Sequence, residues 1–375
     1  MRIKAAVCYG EREPLVVEEV ELDPPRANEV LIKYVASGVC HSDVSIHQGF
    51  LPRDYPLILG HEGAGIIERV GEGVTAVQPG DHVVLGFIPS CGTCKWCHVG
   101  VPILCDLGAH IRTGKMIDGT ARHHSTKDGR DLHTLMFIST FAEYSVVPEA
   151  SVVKVPEHLP LEKLCLLGCG FTTGFGAATN AIHIKPGETV TIVGCGGLGT
   201  AAIQGARLSG AGKIIAVDVQ EAKLDLAKKF GATHTVRSRG NPEEVVNEIL
   251  EITWGVGTDY SMEFVGGDQT DDTVRVAFNA VRKGGTMVMI GVAERSKQNF
   301  AIDPYTLALW SKRIVGVLFG NAQFRVDIPR YAELYDQGKI DLDGMVTQEI
   351  ELGQINQAFD DVLAGDRVIR SVIRF

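Results

Sequence analysis

An alternation of short apolar runs with helical patterns constrains the second half of this 375-residue chain more than anything else in it. Runs of strand length occur at Thr189–Val193, 213–217, 234–236, 260–264, 286–290 and 314–319. Between them, stretches such as Glu221–Phe230 and 242–253 carry apolar residues at helical spacing. Strand, helix and strand repeated in this way imply one parallel sheet covered by helices on both faces. The length suits about two domains, each with a full core.

The first of these runs passes directly into Gly194-Cys195-Gly196-Gly197-Leu198-Gly199 and then into a helical stretch. Gly supplies 43 of the 375 residues, so the pattern alone says little. Its place between a strand and a helix says more. Glycines there allow a tight turn and close approach of backbone to a pyrophosphate, which sits on the helix N-terminus. Asp218 follows the next run. Its carboxylate suits both ribose hydroxyls of NAD and repels the 2′-phosphate of NADP, so NAD is the expected cofactor.

The first 150 residues have another texture. Short β-type runs at 4–9, 15–22, Glu29–Val39, 65–70, 82–86 and 142–147 are separated by Gly and Pro. They predict a compact, mostly antiparallel β domain. The stretch 106–140 is polar and without period, and reads as an excursion. After residue 331 a helical stretch near 355–363 precedes a run at 368–375 that could return as a strand to the first domain.

Within the excursion's approach, Cys91, Cys94, Cys97 and Cys105 are spaced by two, two and seven residues. Two intervening residues let a turn aim successive thiolates at one point, and the longer gap brings the chain back to close a tetrahedron. Zn²⁺ accepts four sulfurs in that geometry, and the last gap does not match ferredoxin spacings. A closed four-sulfur site does no chemistry, so a catalyst must lie elsewhere. The other candidates are Cys40 at a strand end, His61 in Gly60-His61-Glu62-Gly63, and Cys169 at the join of the two regions. Two Cys and one His make a three-ligand zinc set with one open position. Cys8, Cys165 and Cys195 read as packing thiols.

The run from Gly60 to Val74, the four-cysteine loop, Cys169-Gly-Phe-Thr-Thr-Gly174 and the glycine turn with Asp218 together resemble the zinc-containing medium-chain alcohol dehydrogenases. The likeness covers essentially the full chain. It implies a GroES-like catalytic domain over 1–170 and 319–375 around a Rossmann domain at 171–318, with the active site in the cleft between them. It implies a catalytic zinc on Cys40, His61 and Cys169 with Glu62 beside it, and a structural zinc on the four-cysteine loop. Ser42 would bond the alcohol oxygen, and Asp43 would orient His61. Phe87 would line the pocket for a small alcohol or aldehyde. His41, Thr173, Lys223 and Arg370 would join the glycines and Asp218 around NAD. A homodimer or homotetramer is expected.

The chain also departs from that pattern. Ser45 occupies the position of the usual proton-relay histidine, leaving His47 as its substitute. His41 stands where many relatives carry Arg. The stretch 104–109 resembles a bacterial subgroup that keeps its cofactor bound through turnover. Arg112 suits a rival substrate, the thiol adduct of formaldehyde, whose carboxylate wants a cation. An inactive dinucleotide-binding protein would lack a zinc ligand or the serine, and all are present. A net charge of −10 disfavours nucleic acid, and no apolar run of about 18 residues suggests a membrane span. Nine cysteines, mostly in metal-like groups, predict a reducing cytoplasmic setting.

Overall fold

The computed structural model describes residues 1–293, 302–365 and 369–375. Val368, the expected start of the C-terminal strand, lies outside them. The chain divides into two compact units, Met1–Thr172 with Ala322–Phe375, and Thr173–Asn321.

The discontinuous unit is built on β structure. A closed barrel runs through Arg2–Cys8, Val16–Leu22, His123–Ser125, Asp131–Thr134 and Leu57–Ile58. A second sheet has Glu29–Val39 near its centre. This strand is buried along most of both faces, which is why its sequence reads as a nearly continuous apolar run. Glu62–Val70 pairs with it antiparallel on one side. On the other side Arg370–Arg374 returns from the far end of the sequence and pairs Ser371 with Val39. The metal-ligand candidates Cys40 and His61 therefore sit at the ends of neighbouring strands.

The excursion is more ordered than its polarity suggests. Two of its segments, His123–Ser125 and Asp131–Thr134, close the barrel. Arg122 anchors it. That fully buried guanidinium donates to both oxygens of Glu29, at 2.6 and 2.9 Å, and to Asp118 at 2.8 Å. A buried charge persists only with such partners.

The second unit is a six-stranded, all-parallel sheet. In order of appearance its strands are Thr189–Val193, Lys213–Asp218, His234–Arg237, Thr258–Glu263, Val281–Met289 and Arg313–Gly316. They lie in spatial order three, two, one, four, five, six, the doubly wound arrangement. The last strand ends at Gly316, short of the expected Phe319. Phe319, Gly320 and Asn321 instead take left-handed backbone angles in a tight turn. Among the described residues no helix is long and apolar enough to cross a membrane.

Candidate metal centres and dinucleotide turn

Cys40, His61, Glu62 and Cys169 are buried together, with one ligand atom from each lying within 4.8 Å of the others. The strand Glu29–Val39 delivers Cys40, Glu62–Val70 begins just after His61, and Cys169 precedes the helix Gly170–Thr179. Asp43, fully buried, ties two of these together. Its Oδ1 accepts from His61 Nδ1 at 2.9 Å and from the Gly60 amide at 3.1 Å, while Oδ2 accepts from the Cys40 amide at 3.2 Å. With the proton held on Nδ1, Nε2 keeps its lone pair for a metal.

The electrostatics fit a cation. A hydrogen bond from Cys169 lowers the Cys40 pKa well below the usual thiol range, against the opposing effect of burial, while the same contact pushes Cys169 well above it. The two sulfurs share one proton that a dication would replace. Burial, the largest single influence, opposes a charged His61, yet the Asp43 carboxylate and the Cys40 sulfur together raise its pKa well above the usual imidazole range. Burial also lifts Glu62 to about 7, against the pull of Arg370. Glu62 Oε1 accepts from the Gly170 amide at 2.9 Å and pairs with Arg370 Nη2 at 3.3 Å. Arg370 was expected beside a pyrophosphate. In the structure it is buried against Glu62 and donates Nη1 to the Val39 carbonyl at 3.3 Å, while its Nε and Nη2 have no in-line acceptor. Sequence reading missed this pairing, since nothing in the spacing links residues so far apart.

Ser42 is half-buried on the short helix His41–His47 immediately after Cys40, and His41 is exposed. The ring of Phe87 stands edge-on to His61, with centroids 5.7 Å apart. His47 is engaged on both nitrogens. Nε2 lies 2.8 Å from the Glu13 carbonyl, Nδ1 3.4 Å from Gln48 Nε2, and the ring packs edge-on against Phe359. A proton collected at His47 has to displace one of these bonds. Arg112 is exposed in the excursion.

The four-cysteine loop forms a second cluster. Cys91 and Cys97 have sulfurs 3.9 Å apart, as do Cys94 and Cys105. A tetrahedron with metal–sulfur distances of ~2.3 Å has edges of about 3.8 Å, so the cage already has the size of a zinc site. The Thr93 hydroxyl, with the Thr93 and Cys94 amides, donates to Cys91 Sγ and lowers its pKa to about 6, whereas burial pushes Cys105 up to about 12. All nine cysteines are free thiols.

In the second unit Gly194 takes φ +91°, and Gly196 begins the turn into the helix Gly197–Leu208. A Cβ on Gly199 would stand 1.9 Å from the Gly194 carbonyl, so helix and strand meet only through glycine. A Cβ on Gly196 would meet nothing within 4 Å, which leaves the open face that a pyrophosphate needs. Asp218 is held by the Cys195 amide on Oδ2 at 2.8 Å and by the Gln220 amide on Oδ1 at 2.9 Å. It lines a pocket of about 210 Å³ with Gly194, Lys223, Val265 and Thr273. Thr173 begins this unit and is nearly buried.

Two family models match the chain: the alcohol dehydrogenase GroES-like domain at residues 26–157 and the zinc-binding dehydrogenase domain at 197–336. The chain is 42% identical over 373 residues to an NDMA-dependent alcohol dehydrogenase of Amycolatopsis methanolica, covering 100% of this chain and 99% of that one. Alcohol dehydrogenase B of Mycobacterium tuberculosis is 40% identical over 380 residues, with 100% and 99% covered. Among solved structures, benzyl alcohol dehydrogenase from Acinetobacter calcoaceticus superposes with a TM-score of 0.92 at 33% identity, covering 100% of this chain and 99% of that one.

Proposed function

The chain belongs to the zinc-dependent medium-chain alcohol dehydrogenases, and we propose that it oxidises primary aryl alcohols to aldehydes with NAD. It is an oxidoreductase of that class, with zinc and NAD as its cofactors. The observation that carries the substrate reading is the Phe87 ring standing edge-on to His61. It supports an aromatic substrate wall next to His61, one of the three residues that would hold the catalytic zinc, since aromatic pairs favour such an edge-to-face approach. The likeness to a benzyl alcohol dehydrogenase supports the same reading.

When bound, zinc supplies Lewis acidity at the alcohol oxygen and NAD supplies the hydride acceptor. Around them the protein's own groups divide the remaining work. Asp43 fixes the tautomer and plane of His61. Arg370 balances negative charge where Glu62 and two thiols are buried together. Ser42 takes the alcohol's proton and passes it toward solvent, and His47 relays it only at the cost of its bond to the Glu13 carbonyl. Asp218 accepts from the ribose hydroxyls. The four-cysteine cage keeps a closed zinc for structure alone.

A turnover screen tests the substrate. Benzyl alcohol should exceed ethanol in kcat/KM by at least about tenfold, the scale of a few well-packed apolar contacts; equal rates would remove the aryl assignment. Running it with and without added NAD, with an artificial acceptor present, tells a retained cofactor from an exchanging one. Asp218→Ala should weaken NAD and raise the NADP/NAD ratio of kcat/KM by about 10²-fold, because a carboxylate opposing a phosphate costs several kcal/mol when partly desolvated. A wild-type preference for NADP would contradict the assignment.

The edge strand Arg313–Gly316 and the exposed Tyr305 and Leu309 beside it support self-association as a homodimer or homotetramer; a monomer by light scattering would contradict it. The thiol-rich metal sets favour a cytoplasmic location, where thiols stay reduced, and cell fractionation tests that.

A further inference from the structure

Glu263 is a buried carboxyl that the chemistry above does not use. It ends the strand Thr258–Glu263, whose neighbour Val193 leads into the glycine turn. One oxygen is well held: Oε1 accepts from the Val265 amide at 2.7 Å and from the Thr273 hydroxyl at 2.9 Å. The other, Oε2, is buried without a partner. Gly291 lies against it. Its amide donates instead to the main-chain carbonyl of Glu263 at 3.1 Å. A Cβ on Gly291 would stand 2.3 Å from the Val265 carbonyl oxygen and 2.4 Å from Glu263 Oε2, so both oxygens face the same small space. A buried carboxyl oxygen with no donor in reach is satisfied by carrying a proton itself.

Both residues held by Oε1 shape the cofactor pocket. Val265 and Thr273 line it opposite Asp218 and Lys223, and Val265 Cγ2 would be 2.7 Å from a Cβ on Gly194. We propose that Glu263, in its protonated form, is a positioning residue for NAD: through Oε1 it ties the Val265 segment to the helix Thr270–Ala280, and so sets one wall of the pocket. This rests on the reading of that pocket as the NAD site.

Burial raises the Glu263 pKa to about 7, against the hydrogen bonds that Thr273 and Val265 donate to Oε1. The packed elements carry few other ionisable groups. The adjoining strand Thr189–Val193 has none, the helix bears Asp271, Asp272 and Arg275, and the strand Val281–Met289 bears Arg282 and Lys283. None of them contributes to the shift. Because the folded pKa is raised, the neutral form and the order it gives are present at low pH and are lost as pH rises through about 7.

The test is equilibrium binding of NADH, followed by fluorescence, to the zinc-loaded full chain between pH 6 and 8.5. Wild-type affinity should fall about tenfold across that range, the effect of a one-unit change in pKa on binding. Glu263→Gln keeps an acceptor and gains a permanent N–H donor, so its affinity should stay near the low-pH wild-type value throughout. The same pH slope in both proteins, or a flat wild-type profile, overturns the proposal. Failure of the wild type to bind NADH at any pH would remove the cofactor assignment itself and this inference with it.

Discussion

The Cys169→Ser protein is expected to retain one zinc per chain, to lose turnover by at least about 10³-fold, and to unfold close to the wild-type temperature. Serine keeps the shape of the side chain but is a poor zinc ligand, and a Lewis acid worth several kcal/mol at the alcohol oxygen goes with the metal. The fold around it stands on other supports. Cys40 follows a strand paired on both sides, and Asp43 holds the Cys40 and Gly60 amides. Metal analysis, steady-state kinetics and a thermal melt on one preparation read all three outcomes.

The Cys94→Ser protein should show the reverse pattern: one zinc lost, a melting temperature lower by about 10 °C, and activity in the surviving folded fraction closer to normal. The cage is made from one stretch of chain with little packing of its own. Its helix, Lys95–His98, has no fully buried residue, and Cys94 is its N-cap. Metal binding at such a site is folding energy, of order 10 kcal/mol in small zinc peptides and less where a scaffold already holds the loop. Two variants that respond alike would mean that the cysteines have been divided wrongly between a working site and a structural one.

How much of this was legible in the sequence depended on how locally each site is encoded. The four-cysteine cage was readable because all its ligands lie in one short stretch with turn-compatible gaps. The glycine turn was readable because strand, turn and helix follow one another. Cys40, His61 and Cys169 come from three separate segments, and only the whole pattern of motifs brought them together. The Glu62–Arg370 pair left no trace in spacing, because its members lie 308 positions apart in the sequence. The barrel strands His123–Ser125 and Asp131–Thr134 were read as excursion because three or four polar residues show no alternation; closure of the barrel, not local preference, makes them strands. Glu263 looked like the polar end of an apolar run. What makes it unusual is the absence of any donor for Oε2, which only the packing of Gly291 reveals.

The return of Arg370–Arg374 to the Glu29–Val39 strand has a consequence for how the enzyme is made. Arg370 reaches the Val39 carbonyl across a sequence separation of 331 residues. During synthesis the contiguous unit Thr173–Asn321 is complete before this strand exists, while Cys40 and His61 have waited since the first seconds of translation without their final neighbour. Contacts of such long range form late, because loop closure must precede any reward from pairing. The surroundings of Cys40, His61 and Cys169 are thus complete only when Arg370 is in place, near the end of synthesis. The four-cysteine cage, local in sequence, depends on no partner from so far along the chain.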